Sequence, residues 1–190
     1  MNSSASTPNA LPYKLVKKNA DTLTPISIFQ RLKGKKKCLL ESSFQHEDKG
    51  KYSYIGSDPY QEVIGFGNQT ILIDHETGIE KQINQNALTY LRENLPDLKL
   101  DVPLPFTGGA IGYVGYDAIR QFANIGTELE DDLNMPDIHL MIYKNLIVFE
   151  HKNETVHIVA TNVTQEPEDK LDEQLDVLVS SLQENVDTNQ

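Results

Sequence analysis

The 190-residue sequence has a single cysteine, Cys38, and that scarcity excludes two common ways of stapling a fold. A lone thiol cannot close an internal disulfide, and no second cysteine is available for a zinc site of the usual spacing. Such usage suits a reducing, cytoplasmic setting. Basic residues are also few: 17 Lys and Arg stand against 28 Asp and Glu, a net charge of −11. Binding to a phosphate backbone depends on clustered Lys and Arg, so nucleic acid is not an expected partner. No run of about 18 apolar residues occurs, so a membrane is not an expected partner either. The opening "MNSSASTPNA" has neither the basic start nor the apolar run of a secretory signal, and residues 1–10 are expected to be disordered. The acidity is uneven, with eight carboxylates from Glu166 to Asp187 against one lysine, Lys170.

What is present is a succession of short strand patterns with helices at the margins. "TLTPISIFQRLKG" predicts a helix with Thr24 as N-cap, Pro25 at its first position, Ile28, Phe29 and Leu32 on one face and Gly34 as terminator. "KKKCLLES" predicts a strand with a solvated basic entry and buried Cys38, Leu39 and Leu40. "KYSYIG" and "QEVIGFG" read as strands separated by the Asp58–Pro59 turn, and they are expected to pair. Turn signals at Gly67–Asn68 and Thr77–Gly78 make the next stretch a small antiparallel meander. "NQNALTYLRENL" predicts a second helix with Leu88, Leu91 and Leu95 on one face. "TGGAIGYVGYDAIRQF" reads as a glycine-interrupted strand leading into a short helix at Asp117. Two long strands, "PDIHLMIYKNLIVFE" and "ETVHIVA", follow, joined by "HKN". Leu171, Leu175, Leu178 and Leu182 then fall at helical spacing. The sum is an α+β fold with a largely antiparallel sheet or sandwich and flanking helices. Residues 11–160 form the expected domain, followed by an acidic linker and amphipathic helix at 161–190.

Most candidate chemistry reads as structure. Gly108, Gly109, Gly112 and Gly115 match neither phosphate-loop pattern, and glycine within a strand marks a bulge or a close backbone approach. The five histidines have no metal-ligand spacing, and His139 and His157 lie within strand patterns, as hydrogen-bonded structural histidines do. Adjacent acids such as Glu47–Asp48 and Asp131–Asp132 read as solvated surface. "LLES" is different in kind. At its strand end Glu41 can accept from an ammonium and Ser42 can donate or accept, while Lys51 on a neighbouring strand can pair with a carboxylate. Together they suit a zwitterionic amino acid.

Four ordered motifs carry a resemblance: "LLES" at Leu39 to Ser42, "KYSYIGSDP" at Lys51 to Pro59, "PFTGGAIGYVGYDAIR" at Pro105 to Arg120, and "DDLNMPDIHLMIYKNLIVFEH" at Asp131 to His151. Over roughly Leu11 to Leu182 the sequence resembles the amino-terminal region of anthranilate synthase component I. The resemblance implies an enzyme that converts chorismate, with ammonia supplied by a glutamine amidotransferase subunit (component II), into anthranilate and pyruvate on the way to tryptophan. It also implies feedback inhibition by L-tryptophan at a pocket lined by Leu40, Glu41 and Ser42, with Lys51 matching a further position and Tyr52 and Ser53 as additional candidates. The family's catalytic residues and its Mg2+ site lie in a following domain that this sequence does not reach. The chain is therefore expected to hold no cofactor, metal ligand or catalytic residue of its own and to be inactive alone, with an apolar surface that its missing partner domain normally covers. Glu150 departs from the family pattern, where Asp is expected. Two alternatives stand beside this reading: the amino-terminal region of aminodeoxychorismate synthase component I, and a stand-alone tryptophan-binding module.

Overall fold

The computed structural model describes residues 12–41, 51–96, 100–116, 118 and 134–183. The element order is β1 (Tyr13–Asn19), α1 (Pro25–Arg31), β2 (Cys38–Glu41), β3 (Tyr52–Gly56), β4 (Gln61–Phe66), β5 (Gln69–Asp74), β6 (Glu80–Ile83), α2 (Ala87–Asn94), β7 (Gly109–Val114), β8 (Ile138–Tyr143), β9 (Asn145–Glu150), β10 (Thr155–Thr161) and α3 (Glu168–Gln183). This is the expected α+β architecture, with every strand pairing antiparallel. The strands form two five-stranded sheets, β1-β10-β9-β3-β2 and β6-β5-β4-β8-β7. Two compact units follow, one from the described residues within 1–58, 98–108 and 144–190, the other from those within 59–97 and 109–143. The expected disordered start, the loop from Ser42 to Gly50 and the helix expected at Asp117 lie outside the described residues.

In the first unit, alternation along the strands sends Val16, Ile55, Ile147, Phe149, Val156, Ile158 and Ala160 to one face of the sheet, which α1 and α3 cover. Ile147 and Ile158 are fully buried there, and α3 contributes Leu171, Leu175 and Leu182. α1 begins as expected, with a reciprocal capping box between Thr24 and Ser27 and Pro25 at its first position. Its far end departs from expectation. Lys37 was expected in solvent, yet its ammonium donates to the carbonyls of Phe29 (2.9 Å) and Leu32 (3.0 Å) and lies 4.8 Å from the Phe29 ring centroid. Orphan carbonyls at a helix C-terminus attract a cation, and this one is within reach.

Two expectations about strands fail for related reasons. β3 and β4 do not pair: β3 lies between β2 and β9, whereas β4 lies between β5 and β8, so Asp58–Pro59 is a passage between sheets and no hairpin turn. Likewise "PDIHLMIYKNLIVFE" is two strands in different sheets, divided at Lys144. Lys144 is buried but satisfied, its Nζ 2.5 Å from Glu166 Oε1 and its carbonyl accepting both the amide and the hydroxyl of Thr161 at 2.7 Å. Burial alone would raise the Glu166 carboxyl, but hydrogen bonds from Lys144, Thr164 and Gln174 outweigh it and hold the group below its ordinary value.

In the second unit, Val63, Leu72, Ile138, Leu140 and Ile142 form one sheet face under α2. Gly112 is there because β7 approaches β8 closely: a Cβ would stand 2.0 Å from the His139 carbonyl oxygen, the close approach that the glycine pattern predicts. On the other face the Glu62 carboxylate, 2% exposed, is held by two imidazoles, His75 Nε2 at 2.6 Å from Oε1 and His139 Nε2 at 2.7 Å from Oε2. His139 is thus the hydrogen-bonded strand histidine anticipated from sequence. So is His157, whose Nε2 lies 3.0 Å from Glu150 Oε2.

These networks give two expectations. Removing one of the two imidazoles takes a hydrogen bond from a buried carboxylate, so His139→Ala is expected to cost about 1–3 kcal/mol in urea denaturation. Because the folded-state pKa of Glu166 is lowered, the stability it contributes is complete above the unfolded glutamate value of about 4.3 and is lost as pH falls through the lower folded value. Melting temperature followed through that acid range is expected to fall less steeply in Glu166→Gln than in the wild type.

Candidate functional site

The residues singled out from sequence fall at one end of the first unit's sheet. Leu40 and Glu41 end β2, the edge strand, whose one partner is β3. Ser42 lies outside the described residues. Lys51 immediately precedes β3, and its carbonyl accepts the amide of His151 at 2.9 Å, extending the β3–β9 ladder by one step.

The register decides which of these side chains can act together. Leu40 stands opposite Tyr54 and Glu41 opposite Ser53, so the two neighbours project from opposite faces. Leu40 is 45% exposed, against the expectation that it is buried, and among the described residues no strand pairs with the outer edge of β2. On its face Tyr54 packs edge-on against Phe106, with centroids 5.5 Å apart. Burial, assisted by neighbouring Tyr52, raises the Tyr54 phenol above its ordinary value, so it remains a hydroxyl donor. Glu41, by contrast, shares a face with Ser53, and Lys51 lies two residues from Ser53 on that same face. Directly opposed side chains in such a ladder start about 5 Å apart and diagonal ones about 7–8 Å, within reach of Glu and Lys. The structure thus brings Glu41 and Lys51, both exposed, to one rim and sets Leu40 on the reverse side.

The same face carries a residue that sequence reading passed over. His151 stands across from Lys51, its Nε2 is 2.8 Å from Ser53 Oγ, and its ring lies 5.0 Å from that of Phe149. Read as a turn residue in "HKN", it gave no sequence signal of its own. The available clue was its spacing of two from Phe149, which places it on the face of the apolar strand positions. A groove of about 710 Å³ lies at the opposite end of β3 and β9, lined by Leu32, Ser57, Asp58, Asn145, Gln174 and Ser181 among others, and includes none of these rim residues.

Among the described residues no group of three His, Cys, Asp or Glu side chains is placed to hold a metal ion. Glu62 with its two histidines does not qualify, since both Nε2 atoms are spent on the carboxylate. The described residues therefore do not fit the Mg2+ implied by the resemblance, and no step is derived through it. Among the described residues no helix is long and apolar enough to cross a membrane.

The comparisons with known proteins agree with one another. A family model described as "chorismate binding enzyme" matches residues 35–190. The chain is 36% identical over 177 residues to anthranilate synthase component 1 of Lactococcus lactis subsp. lactis (strain IL1403), covering 89% of this chain and 37% of that protein. It is 34% identical over 149 residues to the Acetivibrio thermocellus protein of the same name, covering 74% and 29%. The crystal structure of anthranilate synthase component I from Streptococcus pneumoniae TIGR4 superposes with a TM-score of 0.62 at 30% identity, covering 87% of this chain and 36% of that one. The chain thus spans 37% or less of the length of these relatives. With the match extending over most of its residues, the chain belongs to the chorismate binding enzyme family.

Proposed function

We propose that this chain is the effector-sensing region of an anthranilate synthase component I and that its ligand is L-tryptophan, bound at the rim formed by β2 and β3. The observation that carries the reading is the common face of Glu41 and Lys51 in the β2–β3 ladder: two exposed residues of opposite charge set diagonally on one rim. An α-amino acid presents the complementary pair, its ammonium to Glu41 and its carboxylate to Lys51. Ser42 completes the polar wall in this reading, and Leu40 reaches the ligand from around the edge of β2. The names of the relatives supply the pathway, since tryptophan is what anthranilate is made for.

The whole protein, on this proposal, converts chorismate and glutamine-derived ammonia to anthranilate and pyruvate with an amidotransferase partner subunit and Mg2+. Supporting the view that the step needs more than this chain, Glu62 and Glu150 are paired with His75, His139 and His157 in the fold. Incubated alone with chorismate and ammonia, the chain is expected to release no fluorescent anthranilate; release of product overturns that part of the proposal.

The sequence contains no tryptophan, so the fluorescence of added L-tryptophan can be followed without protein background. A saturable rise in its anisotropy on titration with the chain is expected. Glu41→Ala is expected to weaken binding by at least tenfold, the loss of one hydrogen bond to a charged group. An unchanged Glu41→Ala isotherm contradicts the assignment.

A further inference from the structure

We propose that His151 is a direct contact of this amino-acid site, its Nδ1–H donating to the ligand carboxylate beside Lys51, and that Ser53 is the positioning residue that fixes the imidazole in the tautomer required. The inference rests on the effector reading above and adds to it a residue that neither the motifs nor the comparisons assign.

Ser53 is fully buried, and its hydroxyl proton must reach an acceptor within the protein. Among the described residues, the partner of Ser53 Oγ is His151 Nε2 at 2.8 Å. Were Nε2 to carry the proton, the ring would donate to Oγ, and among the described residues the buried hydroxyl would have no acceptor for its own hydrogen. The hydroxyl therefore donates, Nε2 accepts, and the neutral imidazole carries its proton on Nδ1. The ring itself is exposed, and among the described residues its Nδ1 makes no hydrogen bond. The other described histidines differ. His75, His139 and His157 each direct Nε2 at a carboxylate, which can only accept, so that in a neutral ring the proton sits on Nε2 and not on Nδ1.

Position supplies the rest. His151 faces Lys51 across the extended β3–β9 ladder, so two donors stand side by side on one face of the rim. Glu41, the acceptor, lies across β3 on the opposite flank of Ser53. An amino acid held along the exposed rim, from His151 and Lys51 to Glu41, meets donors at its carboxylate end and an acceptor at its ammonium end. Phe149, 5.0 Å from the imidazole, backs the ring and limits its rotation.

The test uses the full chain, two ligands and a spectroscopic readout. L-tryptophan and tryptamine differ by the carboxylate alone. His151→Ala is expected to weaken L-tryptophan binding about tenfold, while any tryptamine binding stays at its wild-type level; His151→Gln, which keeps a donor, is expected to recover part of the loss. Ser53→Ala is expected to move the imidazole ¹⁵N resonances of His151 away from the Nδ1–H pattern. Equal weakening of both ligands by His151→Ala, or wild-type affinity in that variant while Glu41→Ala abolishes binding, overturns the role of His151 and leaves the effector site standing. A flat wild-type titration with L-tryptophan overturns the effector reading and this inference together. An Nε2–H tautomer in the wild-type spectrum overturns the inference without reference to any ligand, so the proposal stays testable even if the alanine variants fold poorly.

Discussion

Strand β9 is hydrogen-bonded on both sides, to β3 and to β10, and its side chains alternate between two faces. Ile147 and Phe149 enter the core under the helices, and their packing there holds the register of the ladder, while Leu146 and Val148 are buried on the reverse face. Everything at the rim inherits that constraint. Once Phe149 is inward, His151 shares its face, Ser53 stands opposite Phe149, Glu41 stands opposite Ser53, and Lys51 stands opposite His151. A polar cluster drawn from three separated segments is therefore set by the apolar residues one step inside it. The hydrophobic core does not touch the ligand in this reading, but it decides which side chains can.

Buried polar groups in this chain divide by what they are bonded to. Glu62, which is buried, and Glu150 and Glu166, which are partly buried, each gather two or more donors, as a carboxylate drawn out of water must. Those groups hold the fold and have little left to offer a substrate. Ser53 is the exception among these pairs, since a neutral hydroxyl bonded to a half-freed imidazole spends one ring nitrogen and leaves the other. The difference lies in which nitrogen carries the proton: a neutral imidazole facing a carboxylate donates from Nε2, whereas one that accepts a hydroxyl at Nε2 carries its proton on Nδ1.

Much of this was legible in the sequence, and the failures have a common cause. Helix α1 was readable because its cap chemistry is local, with Thr24, Pro25 and Ser27 within four residues of one another. The β4–β5–β6 meander was readable for the same reason, its turns being Gly67–Asn68 and Thr77–Gly78. Strand partners were not readable where the chain changes sheets. At Asp58–Pro59 the turn signal reads as a hairpin and at Lys144 the apolar pattern continues across the change, and only long-range hydrogen bonds show that β3 and β4, or β8 and β9, belong to different ladders. Lys144 did carry a clue, a lysine inside an apolar run. Its partner, Glu166, is 22 residues away, beyond any local pattern. At the site, Glu41 and Lys51 were legible as complementary charges near a hairpin. His151 was not, because its role depends on a strand pair that joins positions 98 residues apart, Ser53 and His151.

The placement of the rim at an edge strand follows from the same physics. An edge strand with free backbone groups invites pairing with another chain, and a charged residue at its end discourages that. Glu41 serves this purpose whether or not a ligand is present, so its carboxylate is needed for two reasons, and they meet at one position. β2 is only four residues long and pairs on one side, which leaves Leu40 half-exposed and Glu41 in water. A carboxylate so placed stays hydrated. An ammonium ligand brought against it can therefore gain a charge-assisted hydrogen bond without first requiring the protein to bury an unpaired acid. The short, one-sided strand that is weakest as structure is for that reason suited to hold an exchangeable ligand, and the strength of the sheet lies one strand further in, at β9.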